Sequence, residues 1–105
     1  MAEFKNVSIA KAANILFEGN ITSRTIVFED GSRKTLGIML PGEYELNTVH
    51  KEIMDIQRGV LEVMLPAQDW VKYEGPASFE IQANSKFKLR VHSLVDYCCS
   101  FIKNH

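Results

Sequence analysis

Residues 31–59, GSRKTLGIMLPGEYELNTVHKEIMDIQRG, decide the fold. Turn residues mark its entry (Asp30-Gly31-Ser32), its middle (Pro41-Gly42) and its exit (Gln57-Arg58-Gly59). Gly supplies turn geometries that other residues resist, and Pro pre-sets a turn dihedral and withdraws an amide donor. The runs between them are short and alternate with period two, the spacing of a strand rather than a helix. Tyr44, Leu46 and Thr48 take one face while Glu43, Glu45 and Asn47 take the other. From Glu52 the even positions Glu52, Met54 and Ile56 share a face, opposed by Asp55 and Gln57.

The same rhythm extends outward. Turn signals recur at Glu18-Gly19-Asn20, Pro66-Ala67, Gly75-Pro76 and Ala83-Asn84-Ser85. Strands at a spacing of roughly ten residues indicate an all-β sandwich or barrel. Phe79 and Ile81 point inward, as do Phe87, Leu89 and Val91 against outward Lys86, Lys88, Arg90 and His92. In the last strand Val95, Tyr97, Cys99 and Phe101 oppose Asp96, Cys98 and Ser100. The expectation is an all-β chain forming a closed or nearly closed antiparallel barrel, with helix considered only for the first dozen residues. One segment breaks the alternation: Thr35-Leu36-Gly37-Ile38-Met39-Leu40 is apolar on both faces. A strand of that kind must be covered on both sides, which predicts a homodimer. The alternative cover is the N-terminal strands, such as Ile21 to Phe28.

A chain of 105 residues is expected to be a single domain, residues 1–105. Its net charge of −1 and pI of about 6.3 give no basic field for phosphate backbones, so no nucleic-acid polymer is expected as partner. The N-terminus lacks a basic segment followed by a long apolar run, and no stretch of about 18 apolar residues occurs, so no membrane partner is expected. Cys98 and Cys99 are adjacent, so on a strand they point to opposite faces. Reduced thiols and a cytoplasmic location are expected.

Glu52 is the leading candidate for chemistry. A carboxylate on an apolar inner face is costly unless paired, its pKa rises with desolvation, and such groups concentrate at functional sites. The bland alternative is a solvated position at the barrel mouth or a structural bond to an internal Tyr or Arg. Arg33 follows the Asp30-Gly31-Ser32 turn and precedes Thr35; guanidinium, hydroxyl and turn amides together suit a phosphate. Tyr97 reads as a ligand contact or a core residue. Cys99 lacks a neighbouring base and reads as a buried structural thiol. Trp70 reads as a packing residue or a dimer contact.

The segment also resembles the first motif of cupin barrels, with six residues between Glu52 and Gly59. That resemblance places the cupin metal ligands at Leu46, Thr48, Glu52 and, in the second motif, Phe87. Three of these four cannot hold a divalent ion, so no metal is expected. His50, His92 and His105 do not fall at matching positions.

Over Ala13 to Phe101 the chain is similar to the pyrimidine/purine nucleoside phosphorylase family of small bacterial cupins. The likeness is carried by the stretch from Ala13 through Lys34–Tyr44 (KTLGIMLPGEY), the Glu52–Gly59 segment, Trp70 with Tyr73-Glu74, and the terminal DYCCSF. It departs from the family at Lys51 and Gln82, where the family carries proline. The resemblance implies a cupin-like, jelly-roll type β-barrel. It also implies a cofactor-free enzyme converting a broad range of nucleosides, with inorganic phosphate, to free base and ribose 1-phosphate. For that reaction Glu52 is assigned as the catalytic acid group, meeting ribose hydroxyls or developing positive charge. Arg33, Ser23 and Thr35 are assigned to phosphate, and Tyr44, Thr48, Met54, Phe87 and Tyr97 to the nucleoside. The alternative is a non-catalytic cupin module that binds a small metabolite.

Overall fold

Every turn signal named above ends or begins a strand in the computed structural model, which describes residues 2–103; His105 lies outside the described residues. The chain runs β1 (Ser8–Ile9), β2 (Asn14–Leu16), a 3-10 turn (Phe17–Gly19), β3 (Ile21–Val27), β4 (Arg33–Met39) and β5 (Gly42–Asn47). It continues as β6 (Lys51–Arg58), β7 (Val60–Met64), β8 (Val71–Glu74), β9 (Ala77–Ile81), β10 (Lys86–Val91) and β11 (Val95–Ile102). Residues 2–12 hold the two-residue strand β1 and no helix. Their backbone donors go across to β3 rather than along the chain, Ala10 N–H donating to Thr25 O at 2.9 Å.

All pairings are antiparallel. They divide into a large sheet in the order β1-β3-β4-β11-β6-β9, with β2 also on the β3 edge, and a small sheet in the order β5-β10-β7-β8. Hydrogen bonding therefore runs in two separate sheets, where the sequence reading expected a closed or nearly closed barrel. The inward faces of both sheets meet in one core: Met54, Ile56, Ile81, Val95 and Tyr97 from the large sheet against Leu61, Val63, Phe87, Leu89 and Val91 from the small one. The period-two face assignments hold at Met54, Ile56, Ile81, Phe87, Leu89, Val91, Val95 and Tyr97.

Two features depart from the alternation rule. On the outer face of β11, Cys98 and Ser100 are only 5% and 8% exposed, because small side chains on a central strand are shaded by larger neighbours on β4 and β6. On the outer face of β4, by contrast, Leu36 remains 41% exposed. The N-terminal segment covers only the far end of that face: Phe4 packs edge-on against Phe28, with the Lys34 ammonium 5.3 Å from the Phe4 ring.

Candidate active site

Strand β11 is the spine of the site. It lies between β4 and β6, so each inward residue is flanked by one partner on either side. Phe101 pairs with Arg33 and Glu52, Cys99 with Thr35 and Met54, and Tyr97 with Gly37 and Ile56. The next strand extends all three rows, Val27 beside Arg33, Thr25 beside Thr35 and Ser23 beside Gly37.

Between the sheets these rows enclose a cavity of about 240 Å³, lined by Ser23, Thr35, Glu52, Met54, Phe87 and Tyr97 among others. Its remaining wall is mainly apolar, with Ile21, Met39, Leu46 and Leu89. A wider hollow of about 740 Å³ adjoins it, lined by Asp30, Arg33, His50 and Lys103. The two share Asn14, Thr35 and Phe101 as walls. The inner cavity alone is smaller than the usual range of about 300–1,000 Å³ for ligand pockets, and the adjoining hollow brings the pair within it.

Glu52 sits where its alternation placed it, half-buried on the cavity wall. The Cys99 thiol donates to its Oε1 at 3.4 Å. Burial raises the Glu52 pKa, while the Cys99 hydrogen bond and the His50 charge oppose the rise. Burial and the adjacent Glu52 carboxylate push the Cys99 thiol far up, so Cys99 is a hydrogen-bond donor and not a nucleophile. Burial also pushes the Tyr97 phenol up to about 12, with hydrogen bonding from Ser23 acting against it.

The structure separates several of the residues that the sequence reading grouped. Tyr44 is buried, but its hydroxyl donates to Leu40 O at 2.6 Å and its ring packs against Phe17, so it supports the β4–β5 turn and does not line the cavity. Thr48 is also outside the cavity: its hydroxyl donates to Gln82 O at 2.6 Å and accepts from Ser85 N–H at 3.0 Å. It clamps the β5–β6 loop to the β9–β10 loop. Arg33 and Ser23 do not stand together, since Arg33 lines the outer hollow and Ser23 the inner cavity. Thr35 alone of the three touches both spaces. The Asp30-Gly31-Ser32 turn is closed on itself, the Ser32 amide and hydroxyl both donating to Asp30 Oδ1 at 2.8 and 2.6 Å. Its amides are therefore not the anion cradle that the sequence suggested.

Lys51 and Gln82 lie off the site. Lys51 pairs with Glu80 at 3.3 Å, and Gln82 meets Thr48 through its backbone carbonyl. Trp70 is stacked under Arg90, 3.9 Å from ring centroid to guanidinium carbon, and Arg90 pairs with Glu43 at 3.1 Å.

Sequence reasoning missed Asn14, Asn47 and His50. His50 lies in the loop before β6, where strand alternation assigns no face. Asn14 had no signal either, because only the pairing of β2 with β3 brings it over Ser23.

The donor set does not fit a transition metal. At the four cupin ligand positions stand Leu46, Thr48, Glu52 and Phe87. Thr48 spends its hydroxyl on backbone groups. Among the described residues no three His, Cys, Asp or Glu side chains converge.

Residues 11–101 match the family of pyrimidine/purine nucleoside phosphorylases. The chain belongs to this family. A pyrimidine/purine nucleoside phosphorylase of Chlorobium chlorochromatii is 55% identical over 102 residues, covering 97% of this chain and 99% of that protein. One from Geotalea uraniireducens is 54% identical over 103 residues, with 97% and 99% covered. Among solved structures, a protein of unknown function from Acinetobacter sp. ADP1 superposes with a TM-score of 0.90 at 32% identity, covering 95% of this chain and 98% of that one. The EutQ protein of Clostridium difficile, at 12% identity and TM-score 0.66 over 77% of this chain and 67% of its own, shares the fold alone.

Proposed function

We propose that this chain is a metal-independent nucleoside phosphorylase of broad specificity. It converts purine or pyrimidine nucleosides and inorganic phosphate to free base and ribose 1-phosphate. The observation that carries this reading is the Glu52 carboxylate, under-solvated on a mainly apolar cavity wall, one Phe101 ring away from the hollow that Arg33 and Lys103 line. A full-length family likeness supports it.

The chemistry follows from that layout. Phosphate sits in the outer hollow on the Arg33 guanidinium and the Thr35 hydroxyl, at the threshold of the inner cavity. Breaking the glycosidic bond leaves oxocarbenium character on the ribose. A poorly hydrated carboxylate at Glu52 meets that charge more strongly than one in water, and accepts from ribose hydroxyls in the ground state. Thr35 lines both spaces, and on this reading its hydroxyl holds a phosphate oxygen against the anomeric carbon. Met54 and Phe87 pack the sugar and base through apolar contact, which discriminates weakly between bases. No covalent intermediate and no metal is required.

The enzyme works as a homodimer. Across the outer face of the large sheet Arg24, Leu36, Cys98 and Asp55 form one row. A twofold axis through that row would set Arg24 against Asp55 and bury the exposed Leu36, the self-complementarity an isologous interface demands. Leu36→Glu is expected to sediment as a monomer. The protein is placed in the cytoplasm, with no nucleic-acid polymer and no membrane as partner.

The test is chromatography of EDTA-treated protein incubated with uridine and adenosine, with and without phosphate. Base appearing only with phosphate supports the reading. No base from folded protein would favour a binding module, and base lost with metal removal would overturn metal independence.

A further inference from the structure

We propose that Tyr97 reads the one hydrogen-bond acceptor that all nucleosides carry beside the glycosidic bond, N3 of a purine or O2 of a pyrimidine. The inference rests on the phosphorolytic reading above and names how that site takes both classes of base. Four strands contribute one cross-strand row on the inner face of the large sheet: Asn14, Ser23, Gly37 and Tyr97. Gly37 leaves room in it, since a methyl there would lie 2.8 Å from both Ser23 Cβ and Tyr97 Cζ. The Tyr97 ring thus crosses the glycine toward the Ser23 hydroxyl.

The proton directions in this row are determined by donors. The Asn14 amide donates to Ser23 Oγ at 3.2 Å and to Thr25 Oγ1 at 3.0 Å. With one lone pair so engaged, Ser23 stands beside the Tyr97 ring across Gly37. The Tyr97 phenol lines the cavity beside Ser23, and its O–H is the donor it offers a ligand there. Beyond that row the cavity wall continues with the apolar side chains of Ile21, Met39 and Leu89. Burial holds the phenol protonated at neutral pH.

Position along β11 orders the ligand. Phe101, Cys99 and Tyr97 succeed one another inward from the mouth, four residues spanning roughly 13 Å at the rise of an antiparallel strand. That length takes phosphate at the Arg33–Phe101 row, ribose between, and base at Tyr97. Purine N3 and pyrimidine O2 are equivalent acceptors, as their shared place in the DNA minor groove demonstrates. One fixed donor therefore serves both. When the C1′–N bond breaks its electron pair goes to the base, a phosphate oxygen bonds C1′, and the proton given up by hydrogen phosphate ends on the base. Tyr97 supplies a hydrogen bond to the base as it gains charge and keeps its proton throughout.

The experiment compares kcat/KM of wild type and Tyr97→Phe, with phosphate, on adenosine, uridine, 7-deazaadenosine and 3-deazaadenosine. The wild-type to variant ratio cancels differences in intrinsic leaving ability. It should be on the order of 10²-fold for the first three and near unity for 3-deazaadenosine, which lacks the acceptor. An equal ratio for 3-deazaadenosine, or a loss confined to one base class, overturns the proposal. If Tyr97→Phe does not fold, Ser23→Ala should give the same pattern at smaller size, and a uniform loss would contradict it. If wild type releases no base, phosphorolysis itself fails. Calorimetric Kd values for the same four nucleosides then decide: the same pattern sustains the Tyr97 contact, and its absence ends it.

Discussion

Glu52 and Cys99 stand in contact across neighbouring strands, the thiol donating to the carboxylate at 3.4 Å inside a cavity that is otherwise mainly apolar. A carboxylate whose nearest donor is a thiol is poorly compensated for lost hydration. It is a site waiting for a better partner, and ribose hydroxyls or a developing cation would supply one.

Glu52→Gln follows directly. It keeps shape and loses charge, so kcat for base release should fall on the order of 10²-fold. Stability should move the other way with pH. A folded-state pKa raised by burial means that the native protein holds its proton more tightly than the unfolded chain does. Native stability is therefore lost as pH rises from the ordinary glutamate value of 4.5 through the raised one. Thermal melts should show wild type losing ground to Glu52→Gln across that window, and parallel curves would contradict the buried charge.

Arg33 is exposed at the rim of the hollow. Arg33→Ala should raise the KM for phosphate about tenfold or more while leaving the melting temperature within a degree or two, as befits a surface cation. Initial rates at varied phosphate check this, and an unchanged phosphate KM would remove Arg33 from the site.

Much of this arrangement was legible because the alternation is regular. Placing Met54, Phe87 and Tyr97 inside required only parity, and the same parity put Glu52 among them. Tyr44 and Thr48 share the inward parity and are buried, yet both spend their polar atoms on backbone groups. Parity gives a face but not a hydrogen-bond partner, and Leu40 O and Gln82 O are reached only through loop geometry. Ser23 and Arg33 were grouped as one anion site by residue type, a hydroxyl with a guanidinium. The register of β3 on β4 sets Arg33 opposite Val27 and Ser23 opposite Gly37, two inward rows apart, and no local signal encodes that register.

Gly37→Ala tests the packing under Tyr97. The added methyl would press on Ser23 Cβ and Tyr97 Cζ, each 2.8 Å away, and on the rigid Thr22 carbonyl. Overpacking of this kind costs about 1–3 kcal/mol. Denaturant titration should report that loss, together with weakened nucleoside binding from a displaced phenol. A fully stable variant would show that the ring has room to move.

Thr48→Val separates structure from chemistry. It removes both hydrogen bonds of a buried hydroxyl and leaves Gln82 O and Ser85 N–H short of a partner, at a cost of about 1–3 kcal/mol. The melting temperature should fall while kcat per folded molecule stays level. Lost turnover in a fully folded variant would return Thr48 to the site.

The most direct test of the whole account is phosphorus NMR of the metal-free protein with uridine and inorganic phosphate. Ribose 1-phosphate rising in step with free uracil, and absent from Glu52→Gln over the same interval, is the predicted result. Uracil without ribose 1-phosphate, or equal turnover by Glu52→Gln, would contradict it.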